Sequence, residues 1–274
     1  MRYRLLALDV DGTLLDPAGI LRPAVRDAVL AVQHRGLQVV LCTGRRFRTA
    51  RPLAQALQLT GPIVVHNGAL VKDLASGQTL HHQYVAEEVY HQALALLRGL
   101  SPPMAYVDTV HGHIDIVTER LERAHPFQRI YLAENRAHCC VVADMAQPLP
   151  YGVFLMGIMA DGPSLQALYP HVAETLGARA LVHYLTNKNY PGSILEVLPA
   201  GVSKWQALHQ LAQHAGIPPE AIVAVGDDRN DIEMIRHAGL GIAMGNAPDV
   251  VQAAADVVTS SNAEDGLVDA LRLW

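Results

Sequence analysis

The chain is poor in aromatic residues, has only three cysteines and shows no strong excess of either charge, and each shortage excludes something. With 5% aromatic but 50% hydrophobic residues, a core has to be built mainly from aliphatic side chains. The cysteines are Cys42, Cys139 and Cys140. Two are adjacent and the number is odd, so no disulfide framework follows, and a reducing, cytoplasmic compartment is expected. Net charge is -5, from 21 Lys+Arg against 26 Asp+Glu, with no basic run, which argues against a nucleic-acid partner. No apolar run approaches the roughly 20 residues that a membrane span needs. The opening Met1-Arg2-Tyr3-Arg4 leads straight into a β-prone run, leaving no room for a signal peptide. Low-complexity tracts and internal repeats are lacking too.

What is present begins with Leu5-Leu6-Ala7-Leu8-Asp9-Val10-Asp11-Gly12-Thr13-Leu14-Leu15. The apolar start reads as a buried parallel strand. Asp9 and Asp11, two apart, share a face and can look into the crevice beyond the strand's carboxyl end, where open α/β sheets bind ligands. Two close carboxylates repel unless a cation sits between them or one takes a proton. A magnesium site and an acid/base pair both follow from that arrangement, and an ordinary surface turn remains the bland alternative.

At 274 residues the chain suits one large domain or two modest ones. Apolar spacing predicts a helix over 21–33 and, after Gly36, a strand over 37–42 that ends in Thr43-Gly44-Arg45. A helix over 49–57 and a strand over 62–65 follow, with a turn at His66-Asn67-Gly68. Strand, helix, strand, helix, strand is the rhythm of βαβ units, with the three strands expected as parallel neighbours. From about residue 70 the pattern changes to strands paired through turns, with helices over 86–98 and 163–176. Residues 118–150 read as helix and loop. The first rhythm returns at Ile194-Leu195-Glu196-Val197-Leu198. Then come a helix over 203–214, a strand over 221–225 running into Gly226-Asp227-Asp228, and further βα units to the end. The expectation is therefore a core of residues 1–82 and 191–274, split by an α+β insert over 83–190.

Four polar clusters fall directly after predicted strands or at a helix start: Asp9 with Asp11, Thr43 with Gly44, Lys204, and Asp227 with Asp228. In a parallel sheet such positions converge on one crevice. Together they hold carboxylates for a hard cation, a hydroxyl and an ammonium for phosphate oxygens, and helix amino termini suited to anions. The histidines at 81, 82, 111, 113 and 138 lack convergent spacing for zinc and read as surface or packing residues.

These motifs resemble those of haloacid dehalogenase-superfamily phosphatases, of the Cof-type branch with a large α/β cap. Asp9-Val10-Asp11-Gly12-Thr13-Leu14 is similar to that family's first motif, Thr43-Gly44-Arg45 to its second, and Lys204 to its third. Gly226-Asp227-Asp228-Arg229-Asn230-Asp231 is similar to its fourth, and Asn67-Gly68 and Gly245-Asn246-Ala247 resemble stretches of the Cof-type branch. The resemblance implies an α/β fold, a Rossmann-like parallel-sheet core with an inserted α+β cap that sets substrate specificity. It also implies Asp9 as nucleophile and Asp11 as general acid and base. Asp9, the Asp11 backbone carbonyl and Asp227 would hold Mg2+. Gly12, Thr43, Gly44, Lys204 and Asn230, with Asp11, would surround the phosphoryl group. Arg45 and Asn67 are candidate substrate contacts. Asp231 is expected to orient Lys204 or a metal-bound water, and Asp228 to support the metal site or face solvent. The function so implied is Mg2+-dependent hydrolysis of a small phosphorylated metabolite through an aspartyl-phosphate. Its rivals are a sugar-phosphate mutase and a silent module that binds phosphorylated ligands. Oligomeric state leaves no mark in the sequence.

Overall fold

The computed structural model describes residues 2–110, 113–186 and 190–273. The opening apolar run forms β1 (Leu5–Leu8), buried throughout. It is followed by α1 (Pro23–His34), β2 (Gln38–Leu41) and α2 (Phe47–Ala56). Pro23 opens α1, where its missing N–H and fixed φ cost nothing, and Val25, Val29 and Val32 supply the buried stripe. Then β3 (Pro62–Val65), β4 (Leu70–Asp73) and β5 (Thr79–His82) make a small antiparallel sheet of their own. The expected trio of parallel neighbours is thus only partly present. β1 and β2 pair in parallel, whereas β3 meets the end of β2 through one parallel bridge, Cys42 to Val64. The short turn at 66–69 folds β4 back onto β3, and a connection that short joins only antiparallel strands.

The middle of the chain contains α3 (Glu87–Leu97), β6 (Met104–Val110), β7 (Ile114–Thr118), α4 (Pro126–Glu134), β8 (Cys139–Val141), β9 (Val153–Ala160), α5 (Gly162–Leu176), β10 (Ala180–Thr186) and β11 (Ser193–Pro199). Its six strands run in the order β10-β11-β9-β6-β7-β8, antiparallel except for the β7–β8 pair. Val89, Ala93 and Leu97 of α3 and Leu165 and Val172 of α5 close over Met156, Ile158, Leu195 and Val197 on one face of that sheet. Within the stretch expected as helix and loop, β8 is an added strand.

The last part returns to βα units: α6 (Lys204–His214), β12 (Ile222–Gly226), α7 (Ile232–His237), β13 (Leu240–Ala243), α8 (Asp249–Gln252), β14 (Val257–Val258) and α9 (Gly266–Ala270). Its strands complete a five-stranded parallel sheet in the order β14-β13-β12-β1-β2. Leu8 is level with Leu41 on one side and Val225 on the other, so β2, β1 and β12 end together. The chain divides into two compact units, Met1–His82 with Ser203–Trp274, and Gln83–Val202. The second boundary falls later than the expected 191, because β11 belongs to the insert. It is paired along its length with β10 and over most of it with β9, both antiparallel, and the short link from β10 permits only a hairpin. No described helix is long and apolar enough to cross a membrane.

Glu119 shows how the insert satisfies a buried charge. It is fully enclosed, receives Arg98 Nε and Nη2 at 2.7 and 2.6 Å, and accepts the Met145 N–H at 2.6 Å. Glu119→Ala leaves Arg98 with Asp144 as its carboxylate partner and strands a buried amide. It is expected to lower stability by about 3 kcal/mol, read from urea unfolding; a change below about 0.5 kcal/mol, the range of a neutral surface substitution, would contradict that account.

Candidate active site

Because β1, β2 and β12 end level, the residues that follow them are delivered to one place. Asp9 follows β1 directly, its N–H donating to the Val225 carbonyl at 3.0 Å. Thr43 lies two residues past β2 and Asp227 directly after β12. All three are buried, as is Lys204 at the first position of α6. Asp9, Asp227 and Asp231 each bring a carboxylate oxygen within 4.8 Å of the other two.

The Lys204 ammonium lies between two of these carboxylates, donating to Asp9 Oδ1 at 2.6 Å and to Asp231 Oδ1 at 2.7 Å. Burial alone would lower the Lys204 pKa. Asp231 and Asp9 outweigh it and hold the ammonium above its ordinary value. For Asp9, burial pushes the carboxyl well up; Lys204 pulls it down, and Asp231 and Asp227 add to the rise. The other oxygen of Asp231 accepts the backbone N–H groups of Asp227 and Asp228, each at 3.0 Å. With both oxygens engaged, Asp231 is fixed as the support of Lys204 and of the turn after β12. Asp228 is exposed, and its carboxylate caps that turn by accepting the Arg229 N–H at 2.7 Å.

Asp11 sits at the rim with its side chain 43% exposed. Arg45 grips both its oxygens, Nε to Oδ2 at 2.7 Å and Nη2 to Oδ1 at 2.6 Å. The guanidinium expected to reach a substrate is therefore held on Asp11, and that hydrogen bonding raises its own pKa. Thr43 Oγ1 accepts the Arg45 N–H at 3.0 Å, which leaves the hydroxyl proton to donate elsewhere. Asn67, in the left-handed region at φ 57°, accepts from Asn230 Nδ2 at 2.9 Å. A side chain at Gly44 would press on that same Asn67 oxygen, at 3.0 Å from Cβ. Asn230 Oδ1 is buried without a partner. Two glycines are dictated by close approach as well as by positive φ. A Cβ at Gly12 would overlap the Asp227 carboxylate, and one at Gly68 would overlap the Ser203 carbonyl, just ahead of Lys204.

Two residues without an assigned role in the sequence reading hold Asp227. Thr13 Oγ1 donates to Asp227 Oδ1 at 3.1 Å. Asn246, delivered by the loop after β13, donates to Asp227 Oδ2 at 3.3 Å and to the Gly12 carbonyl at 3.0 Å. Asn246 is anchored in turn by the Asn262 N–H at 2.9 Å. The signal was its place after a parallel strand, the same one that marked Asp9 and Asp227. Cys42 lies close by, but burial pushes its thiol up and the group is inert as a nucleophile. His138 Nδ1 lies 2.8 Å from the His113 carbonyl oxygen; His111 lies outside the described residues.

Three buried carboxylates against one ammonium leave an excess of negative charge that a small hard cation fits, since such ions take oxygen ligands. Asp231 has its oxygens committed to Lys204 and backbone N–H groups, so Asp9 and Asp227 are the side chains suited to direct ligation. Asn246→Ala should weaken Mg2+ binding by about 10- to 100-fold, the usual scale for removing a group that orients a metal ligand. Calorimetric titration of Mg2+ reads this without turnover; an unchanged affinity would show that Asn246 does not position Asp227.

Comparison with known proteins finds similarity along nearly the whole chain. Residues 6–271 match the haloacid dehalogenase-like hydrolase family. The chain is 28% identical over 276 residues to a 5-amino-6-(5-phospho-D-ribitylamino)uracil phosphatase of Bacillus subtilis, covering 99% of this chain and 95% of the relative. It is 30% identical over 276 residues to the pyridoxal phosphate phosphatase of Escherichia coli, covering 97% of each. A crystal structure of a haloacid dehalogenase-like hydrolase from Bacteroides thetaiotaomicron superimposes with a TM-score of 0.82 at 28% identity, covering 98% of both chains.

Proposed function

Because this chain belongs to the haloacid dehalogenase-like hydrolase family, we propose that it is a Mg2+-dependent phosphatase of small phosphorylated metabolites that works through an aspartyl-phosphate. The observation that carries the reading is Asp9 itself, a buried carboxylate whose Oδ1 is held by Lys204 at 2.6 Å. The other oxygen is left for attack.

Asp9 Oδ2 attacks the phosphorus of the ester, the bond from phosphorus to the leaving oxygen breaks, and Asp11 gives that oxygen a proton. Water then attacks the phosphorus of the aspartyl-phosphate, Asp11 takes a proton back, and the bond from phosphorus to Asp9 breaks to release inorganic phosphate. To reach the leaving oxygen, Asp11 has to be freed from the Arg45 fork, which engages both its oxygens. Lys204 and the Thr43 hydroxyl offset charge on the phosphoryl oxygens as it develops. The Asn67–Asn230 pair borders the same region. Asp9, the Asp11 carbonyl and Asp227 would hold Mg2+, which supplies a charge that keeps Asp9 ionised and polarises a phosphoryl oxygen.

The insert, residues 83–202, contains none of these groups, and we assign it the choice of substrate. The relatives' names support the substrate class: one is a phosphatase of a ribitylaminouracil phosphate and another of pyridoxal phosphate.

Purified protein with Mg2+ should release inorganic phosphate from members of a phosphometabolite panel, lose that activity in EDTA and regain it with Mg2+. Ca2+ should restore little, its longer and less regular coordination misplacing nucleophile and phosphorus. Asp9→Asn should lower turnover by at least about 1,000-fold, the scale of losing an activated nucleophile, while the fold persists. Undiminished release after exhaustive chelation, or by a clean Asp9→Asn preparation, would refute the mechanism.

A further inference from the structure

Asp227 is braced by a segment that none of the sequence motifs includes. Residues 259–265 lie between β14 and α9 and rest against the loop after β13, the Gly245 N–H donating to the Ser260 carbonyl at 3.1 Å. Within this segment Asn262 is buried. Three of its polar groups reach three different stretches of the same compact unit. Its N–H donates to Asn246 Oδ1 at 2.9 Å. Its side-chain Nδ2 donates to the Leu15 carbonyl at 2.8 Å, in the stretch that continues from Asp9, Asp11 and Thr13. Its own carbonyl accepts Arg22 Nη2 at 2.6 Å, and that nitrogen also lies 3.0 Å from Asp265 Oδ1.

What this does for the metal site follows from the chemistry of an asparagine amide. One end of the amide accepts and the other donates, and the torsion that exchanges them is soft. Asn246 is exposed, so packing does not choose between the two settings. In the setting observed, Nδ2 donates to the Gly12 carbonyl at 3.0 Å and to Asp227 Oδ2 at 3.3 Å. Turned over, the amide would set its oxygen against two further oxygens and its NH2 against the Asn262 N–H. The Asn262 N–H therefore decides that a donor faces the Asp227 carboxylate. It can do so only while the backbone at 262 is held still. The bond to the Leu15 carbonyl and the bond from Arg22 hold it there, and the first also satisfies a buried carbonyl that would otherwise be costly.

We propose that Asn262 is a positioning residue for the metal site: it fixes the Asn246 amide and, through it, Asp227, with Arg22 as its support from the residue before α1. The assignment rests on the Mg2+ reading of the site. Neither residue touches the carboxylates that would hold the ion, so each acts on binding only by what it holds in place. Because Asn262 is also bonded to Leu15, the loop after β1 and the loop after β12 share one brace, and the oxygens they supply keep their spacing. Mg2+ demands near-ideal ligand geometry, so looseness in that spacing is read directly in its affinity.

The test is calorimetric titration of Mg2+ into the unsubstituted protein, Asn262→Ala, Asn246→Ala and the variant carrying both substitutions. Asn262→Ala should weaken Mg2+ binding by about 10-fold, the lower end of the scale for groups that orient a metal ligand from outside. Added to Asn246→Ala, the same substitution should weaken binding by less than about twofold, because two residues that act through one contact are not additive. Arg22→Gln removes a partly exposed guanidinium and should give a smaller loss with the same dependence on Asn246. An unchanged affinity in Asn262→Ala would overturn the assignment. So would equal losses with and without Asn246, which mark a general loosening of the fold. Should Asn262→Ala not fold, the same two criteria are read from Arg22→Gln. An unsubstituted protein that binds no Mg2+ sinks the metal reading and this assignment with it, whereas one that binds Mg2+ but meets either overturning criterion sinks the role of Asn262 alone.

Discussion

Everything at the carboxyl end of the parallel sheet depends on one buried ammonium. Lys204 stands at the start of α6, between Asp9 after β1 and Asp231 after β12. Without it, Asp9, Asp227 and Asp231 would place three carboxylates together away from water, an arrangement that only protonation or cations can hold. With it, one charge is offset while Asp9 keeps an oxygen for chemistry. The backbone serves the same end: Gly68 lets the turn after β3 close against Ser203, and Gly12 lets the loop after β1 close against Asp227.

Asp9 and Asp11 are two residues apart, yet their environments differ in the way a division of labour needs. Asp9 is buried beside a lysine; Asp11 lies at the rim, gripped by the Arg45 guanidinium. An acid that must give up and regain a proton benefits from access to water, whereas a nucleophile benefits from enclosure. The Arg45 fork engages both Asp11 oxygens, and a guanidinium that suits a carboxylate suits a phosphate equally well.

The parallel core was largely readable from the chain, since β1, α1, β2, α6, β12 and β13 each carry an unambiguous period and end in Gly, Thr or Asp. The residues after those strands were readable for the same reason. What escaped did so on physical grounds. Residues 193–199 are an apolar strand of a length that suits either a parallel core or an antiparallel hairpin, and only the partners decide. β3 looked like a third parallel neighbour because the turn that folds β4 onto it resembles an ordinary loop. Asn246 acts from a loop whose distance to Asp227 depends on where β13 joins the sheet. The Arg45 grip on Asp11 spans 34 positions and has no local signature.

The position of β1 also governs how the molecule is made. It is an interior strand of the parallel sheet, but while β2 follows it closely, Leu5 finds its other neighbour at Ile222, more than two hundred residues later. At roughly 5–20 residues per second of synthesis, one flank of the most apolar strand stays unpaired on the ribosome for about 10–40 s. During that interval the insert, whose sheet is complete at Pro199, has all of its own chain available before β12 exists. A nascent chain of this protein therefore carries a finished insert ahead of an unfinished sheet, and its exposure to chaperones and to misassociation is set by the late arrival of β12.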